Sequence, residues 1–429
     1  MKLNNLLVTC VAVADSIVAS PLRLLGSDYP VRSRSSGSIV NAPLTDWIKN
    51  GDTDLQWYTS ISVGTPPQHF NVLIDTGSQG LLLPSSNCTS CHPLTLFDPS
   101  KSSTFSWSPD ESGPILFSTG GDTIPFSEPE GAHCTLVTDT ASIQGLTATA
   151  YSFYLCDQEG AALTSMPGID GILGLGIQDS SGLGLLWALH DERLLTNPVF
   201  GVYTPPGRAT GGELTIGGVD DAKFEGELTW LDLDPLSLDH DSWAMDVQTI
   251  FISGRQLLVT SNGSGAKVPY PQSLSVLDTG TSFLMAPDYE TARDIYAQIS
   301  PKIYQIDPVG TWGAPCSDME TIRPELTFLL GYDGSTQLNV TIPGSSFNLG
   351  PYPGLKGICQ AVINNYQSPQ VNDDGRGIWI GGSPLLKHYY TAWNGLGLKV
   401  GFATSKSASS SSSTLPPGSS AHSGGFHAC

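Results

Sequence analysis

The sequence predicts an all-β protein built as two pseudo-symmetric lobes with a few short helices. Three observations carry that expectation. Only 14% of the 429 residues are charged, while glycine (47) and proline (31) abound, a composition poor in long helix formers and rich in turns. Short apolar runs of Val, Ile, Thr and aromatic residues alternate with clusters of Gly, Pro, Asn and Asp along the body of the chain. One segment occurs twice, 203 residues apart, about half the length of that body. A hydrophobic content of 39% is enough for a sizeable core and excludes wholesale disorder.

In chain order, residues 1–20 read as a secretory signal. Lys2 supplies the positive start, Leu6 to Val13 the apolar run, and Ala12-Val13-Ala14 a small-residue cleavage site, with Ala19 as a second candidate because Asp15 interrupts the run. Residues 21–54 are polar and aperiodic and read as a propeptide. The two lobes are then 55–222 and 223–403, and 404–429 is a Ser-rich tail expected to be disordered. Tyr58 to Val63 alternates at period two and stops at Gly64-Thr65-Pro66-Pro67, a strand and a turn, and Phe70 to Ile74 is a strand running straight into Asp75. Leu185–Leu195 and Tyr289–Ile299 are the clearest helices, the second capped by Asp288. After the signal, no stretch reaches the roughly 20 apolar residues of a membrane span. A secreted, extracellular protein is expected, with the cell wall or the vacuole as the alternative.

Charge and cysteine usage narrow the function. Lys and Arg number 19 against 40 Asp and Glu, a formal net charge of −21. Such a surface repels phosphates, which argues against nucleic acid, and it suits an acidic medium where protonation relieves self-repulsion. Apart from Cys10 in the signal and Cys429 in the tail, six cysteines remain: Cys88, Cys91, Cys134, Cys156, Cys316 and Cys359. An even count in an oxidising compartment favours three disulfides, and the local pairs 88–91, 134–156 and 316–359 are the simplest choice. The alternative is a zinc site of Cys88, Cys91 and His92 with His133 and Cys134, although a lone C-x-x-C outside the cytosol is more often a disulfide. Asn87, Asn262 and Asn339 head sequons and are glycan candidates on exposed loops.

The repeat carries the chemistry. Val72-Leu-Ile-Asp75-Thr76-Gly77-Ser78 returns as Ser275-Val-Leu-Asp278-Thr279-Gly280-Thr281, and each copy is followed about a hundred residues later by an apolar-glycine stretch, Gly171 to Gly176 and Gly377 to Gly382. The pattern describes two lobes that each offer one carboxylate from the end of a buried strand, at a tight turn that glycine permits. Thr76 and Thr279 are placed to bond across the pseudo-two-fold axis, and Ser78 and Thr281 to orient the outer carboxylate oxygens. Two carboxylates at hydrogen-bonding distance share a proton, so one can act as base while the other acts as acid.

On these residues the chain resembles the pepsin-like aspartic endopeptidases, among them the secreted fungal ones, over roughly Leu55 to Ala403. Ile61 to Gln68, Phe97 to Thr104, Asp170 to Leu175, Leu214 to Asp220 and His388 to Thr391 with Val400 to Phe402 fit the same family. The resemblance implies a bilobal pepsin-like acid protease fold with a cleft for an extended protein or peptide substrate. It further implies a zymogen, Asp75 and Asp278 as the catalytic pair, and neither metal nor organic cofactor. Three departures stand out. Leu82 takes the place of a Trp, no Tyr occurs between Phe105 and Cys134 where the flap Tyr belongs, and Ser383 stands where the family often has Asp.

Other chemistry finds less support. There is no G-x-S-x-G elbow for a serine nucleophile, and Gly174-Leu-Gly176 and Gly395-Leu-Gly397 lack the spacing of a phosphate cradle. Asp232, Asp234, Asp239 and Asp241 lack the ligand count of a calcium loop. Trp230, Trp243, Trp379 and Trp393 read as core or cleft residues. A monomer is expected. The rival to an acid endopeptidase is an inert protein on the same fold that binds peptides, glycans or another enzyme, motivated by the absent flap Tyr.

Overall fold

The structure is a computed structural model describing residues 39–47, 55–91, 94–117, 130–164, 166–177, 183–235, 242–260 and 265–406. The expected signal, most of the expected propeptide, nearly all of the tail and the sequon at Asn262 lie outside the described residues. Strands dominate. Those of the first half are β1 (Val40–Asp46), β2 (Trp57–Val63), β3 (Gln68–Asp75), β4 (Leu81–Pro84), β5 (Ser106–Phe117), β6 (Glu130–Ile143), β7 (Leu146–Glu159), β8 (Gly171–Gly174), β9 (Val199–Tyr203) and β10 (Thr210–Ile216); β11 (Phe224–Asp232) and β12 (Ala244–Ile252) begin the second half.

A 13-stranded sheet takes in β1 to β11 together with the strands Tyr389–Asn394 and Lys399–Ser405, so it runs across the lobe boundary expected at residue 222. An eight-stranded sheet holds β12, Ser273–Leu277 and Ile378–Gly381 at its middle. The sequence repeat is a structural repeat. β3 lies parallel to β8 with Val72 opposite Gly171 and Asp75 opposite Gly174, and Ser273–Leu277 lies parallel to Ile378–Gly381 with Leu277 opposite Gly381. Parallel strands covered on both faces read as continuous apolar runs, which is why Val72, Leu73 and Ile74 are all buried. Between the halves, Trp243, Phe200 and Trp393 pack with ring centroids 5.2 to 6.1 Å apart, and Trp243 Nε1 donates to Leu175 O (2.9 Å). Trp379 is likewise buried, so three of the four tryptophans are core.

Several expectations are refined. Val40–Asp46, read as propeptide, is a strand inside the large sheet, held by β10 from Val40 opposite Ile216 to Thr45 opposite Thr210. The first helix is Leu185–Asp191, shorter than expected, because Arg193 turns left-handed (φ 64°) and the N–H groups of Leu194 and Leu195 both return to Leu189 O. The second runs Tyr289–Ile299 with Asp288 accepting from Thr291 N (2.7 Å), as a capping carboxylate should. Disulfides join Cys88 to Cys91, Cys134 to Cys156 and Cys316 to Cys359, which leaves none of these sulfurs as a thiolate for zinc. Asn87 is exposed, and Asn339 is exposed within a strand, Leu338–Ile342, rather than on a loop. Among the described residues no helix is long and apolar enough to cross a membrane.

Candidate active site

Each half delivers its Asp-Thr-Gly turn by the same local route, an apolar strand pinned by its parallel neighbour. Leu175 N donates to Asp75 O (2.7 Å), and Asp278 N donates to Gly381 O (3.1 Å). The two turns then meet. Thr76 N donates to Thr279 Oγ1 (3.1 Å) and Thr279 N to Thr76 Oγ1 (3.0 Å). Each threonine hydroxyl passes its own proton to the opposite strand, Thr76 to Leu277 O (2.9 Å) and Thr279 to Ile74 O (3.0 Å). Four buried bonds between segments about 200 residues apart thus set where the two carboxylates lie.

Both carboxylates are buried at 7% exposure and each is held at both oxygens. Gly77 N donates to Asp75 Oδ1 (2.9 Å) and Ser78 Oγ to Asp75 Oδ2. Gly280 N donates to Asp278 Oδ1 (2.7 Å) and Thr281 Oγ1 to Asp278 Oδ2 (2.6 Å). The turns cross so closely that a Cβ on Gly77 would lie 2.5 Å from Asp278 Cγ, and one on Gly280 would lie 2.5 Å from Asp75 Oδ1. Burial, the charge of Asp278 and the hydrogen bond between the two acids raise the pKa of Asp75 well above the usual carboxylate range, while Ser78 and Gly77 oppose that rise. The arrangement is a pair of buried carboxyl groups brought together at the crossed turns, each held at both oxygens. Among the described residues, no three His, Cys, Asp or Glu side chains gather as a metal site.

A family model of the eukaryotic aspartyl proteases matches residues 56–405. The chain belongs to that family. Cathepsin E of Aquarana catesbeiana is 29% identical over 382 residues, spanning 86% of this chain and 83% of that protein. Human gastricsin is 29% identical over 359 residues, 82% of each chain, and dog pepsin B is 27% identical over 378 residues, 86% of this chain and 85% of that protein. This aspartyl protease is therefore a hydrolase of peptide bonds, with a pepsin-like fold.

Within the protease, the departures noted in the sequence have physical counterparts. Leu82 and Phe117 belong to one buried apolar cluster with Ala132, Cys134, Cys156 and Ile172, so apolar packing surrounds the position where the resemblance implied a Trp. Phe117 ends β5, opposite Glu130. Ser383 is buried, with its hydroxyl donating to Thr279 O (3.2 Å) and its N–H to Thr281 O (2.8 Å), so it braces the second turn. Sequence reasoning missed Gln56, whose side chain reaches the second Asp-Thr-Gly turn from the other half of the molecule. No motif marks it; its partners lie more than 220 residues away.

Proposed function

We propose that this protease is a secreted endopeptidase that cuts proteins at acidic pH, with Asp75 and Asp278 jointly activating one water. The crossed Asp-Thr-Gly turns, each glycine against the opposite carboxylate, carry this reading. At acidic pH the pair holds a single proton. The ionised member removes a proton from the attacking water as its oxygen bonds to the peptide carbonyl carbon. The protonated member gives its proton to the carbonyl oxygen, forming a tetrahedral diol. The carbon–nitrogen bond then breaks as the amine nitrogen takes up a proton and a diol hydroxyl returns one to the pair. No acyl-enzyme forms and no cofactor enters. An extended substrate lies in the cleft like an added strand. The inert-binder alternative rested on the absent flap Tyr, and the Leu82–Phe117 cluster supplies packing in its stead.

The test is hydrolysis of a denatured protein from pH 2 to 7. Wild-type protein is expected to cleave in acid and to lose activity as both carboxylates ionise. Asp75→Asn and Asp278→Asn should each lower kcat on the order of 10³-fold or more, since neither leaves an acid and a base together. Retained cleavage by Asp278→Asn would sink the mechanism.

A further inference from the structure

Gln56 immediately precedes β2 and is 1% exposed. Its main chain is fixed in the large sheet, where its N–H faces Asp46 Oδ1 (3.4 Å) and its carbonyl accepts from Trp47 N (2.7 Å). Its side chain crosses to the other lobe. There Nε2 donates to Gly280 O (2.9 Å) and to Ser282 Oγ (2.7 Å). A carbonyl oxygen can only accept, so the atom facing Gly280 O is the amide nitrogen, and this fixes which way the amide points.

The two acceptors flank Thr281, the residue whose hydroxyl holds Asp278 Oδ2, and the first belongs to Gly280, whose N–H holds Asp278 Oδ1. Both donors that orient Asp278 therefore sit on a segment gripped by one amide from the opposite lobe. We propose that Gln56 is a positioning residue of the reaction, an interlobe tether that keeps Gly280 and Thr281 aimed at Asp278. This rests on the reading that Asp75 and Asp278 do the chemistry. The tether couples the second carboxylate to β1 and β2, elements of the sheet that also delivers Asp75.

The experiment measures kcat and KM from pH 2 to 7 for wild type, Asp75→Asn, Gln56→Met and Gln56→Glu. Cleavage by wild type but not by Asp75→Asn supports the dyad; absence of cleavage by either overturns the dyad and the tether together. With the dyad supported, Gln56→Met, similar in volume but without donors, should lower kcat roughly 10- to 100-fold, the scale of a misplaced catalytic group, with KM little changed. Gln56→Glu is the sharper variant. Protonated in acid, its carboxyl donates to Gly280 O and accepts from Ser282, and the rate should approach wild type. Once ionised it has no proton to donate and faces a carbonyl oxygen, so the alkaline limb of kcat should move to lower pH. An added charge acting only through space would do the reverse, because it makes the dyad hold its proton to higher pH. An upward shift, an unchanged profile or a wild-type kcat in Gln56→Met overturns the tether. Should Gln56→Met lack a cooperative thermal transition, the Gln56→Glu profile alone decides.

Discussion

Gly77 and Gly280 matter for the space they leave. Neither turns left-handed, so the requirement is the absence of a side chain rather than an unusual backbone angle. A methyl on Gly280 would stand 2.5 Å from Asp75 Oδ1 and 3.2 Å from Asp278 Oδ1, inside van der Waals contact with both acids. The only relief is to part the turns, which stretches the crossed Thr76–Thr279 bonds. Gly280→Ala should therefore lower kcat by about 100-fold or more through carboxylate misplacement. Its stability cost should stay within the roughly 1–3 kcal/mol of ordinary overpacking. Steady-state kinetics beside a denaturation curve would show the split, and near-wild-type kcat would mean the turns tolerate separation.

At the scale of elements, the hairpin β6–β7 is the longest paired unit among the described residues, and the Cys134–Cys156 bridge joins directly opposite residues of it in the same apolar cluster as Phe117 and Leu82. Its two cysteines are 22 apart in sequence, so cross-linking removes substantial freedom from the unfolded chain, whereas the Cys88–Cys91 bridge, 3 apart, removes little. Replacing Cys134 and Cys156 by alanine should cost about 3 kcal/mol, and replacing Cys88 and Cys91 clearly less. Chemical denaturation of the two double variants would rank them, and equal losses would refute the loop-length argument. Local order of this kind was legible in advance. Apolar runs before Asp75 and Asp278 announce buried parallel strands, and short cysteine spacings announce local bridges. What was not legible depends on distant partners. Val40–Asp46 carries Asn41, Pro43 and Asp46, poor strand formers, and becomes a strand because β10, about 170 residues on, pairs with it. Pro43 is accommodated because β2 meets β1 only at Thr45 and Asp46. Gln56 escaped notice for the same reason, since nothing near it in sequence predicts a carbonyl in the other lobe.

At the scale of the whole molecule, buried acids outside the active site tie stability to pH. Glu159, at the end of β7, is 8% exposed, and burial raises its pKa to about 7. In the second half, Arg376 serves three carboxylates: Asp234 (2.9 Å) and Asp246 (2.6 Å) through Nη1, and Asp374 (2.8 Å) through Nε. Burial and then the like charge of Asp234 raise Asp246 to about 6, with Arg376 only partly offsetting them. Both acids thus have a higher pKa folded than unfolded, and the folded state binds more protons across the interval between. Stability contributed by their neutral forms is complete below about pH 4, the ordinary carboxylate range, and is lost as pH rises through about 6 for Asp246 and about 7 for Glu159. For Glu159 alone the loss is about 3 kcal/mol. The net charge of −21 adds self-repulsion in the same direction. Thermal unfolding of the Asp75→Asn protein, which cannot digest itself if the dyad is catalytic, should give a Tm highest in acid and several degrees lower by pH 7.5. Glu159→Gln and Asp246→Asn, neutral at every pH, should each flatten that fall and together remove most of it. A double variant that still loses stability as steeply as its parent would place the acid dependence in the surface charge rather than in these buried groups.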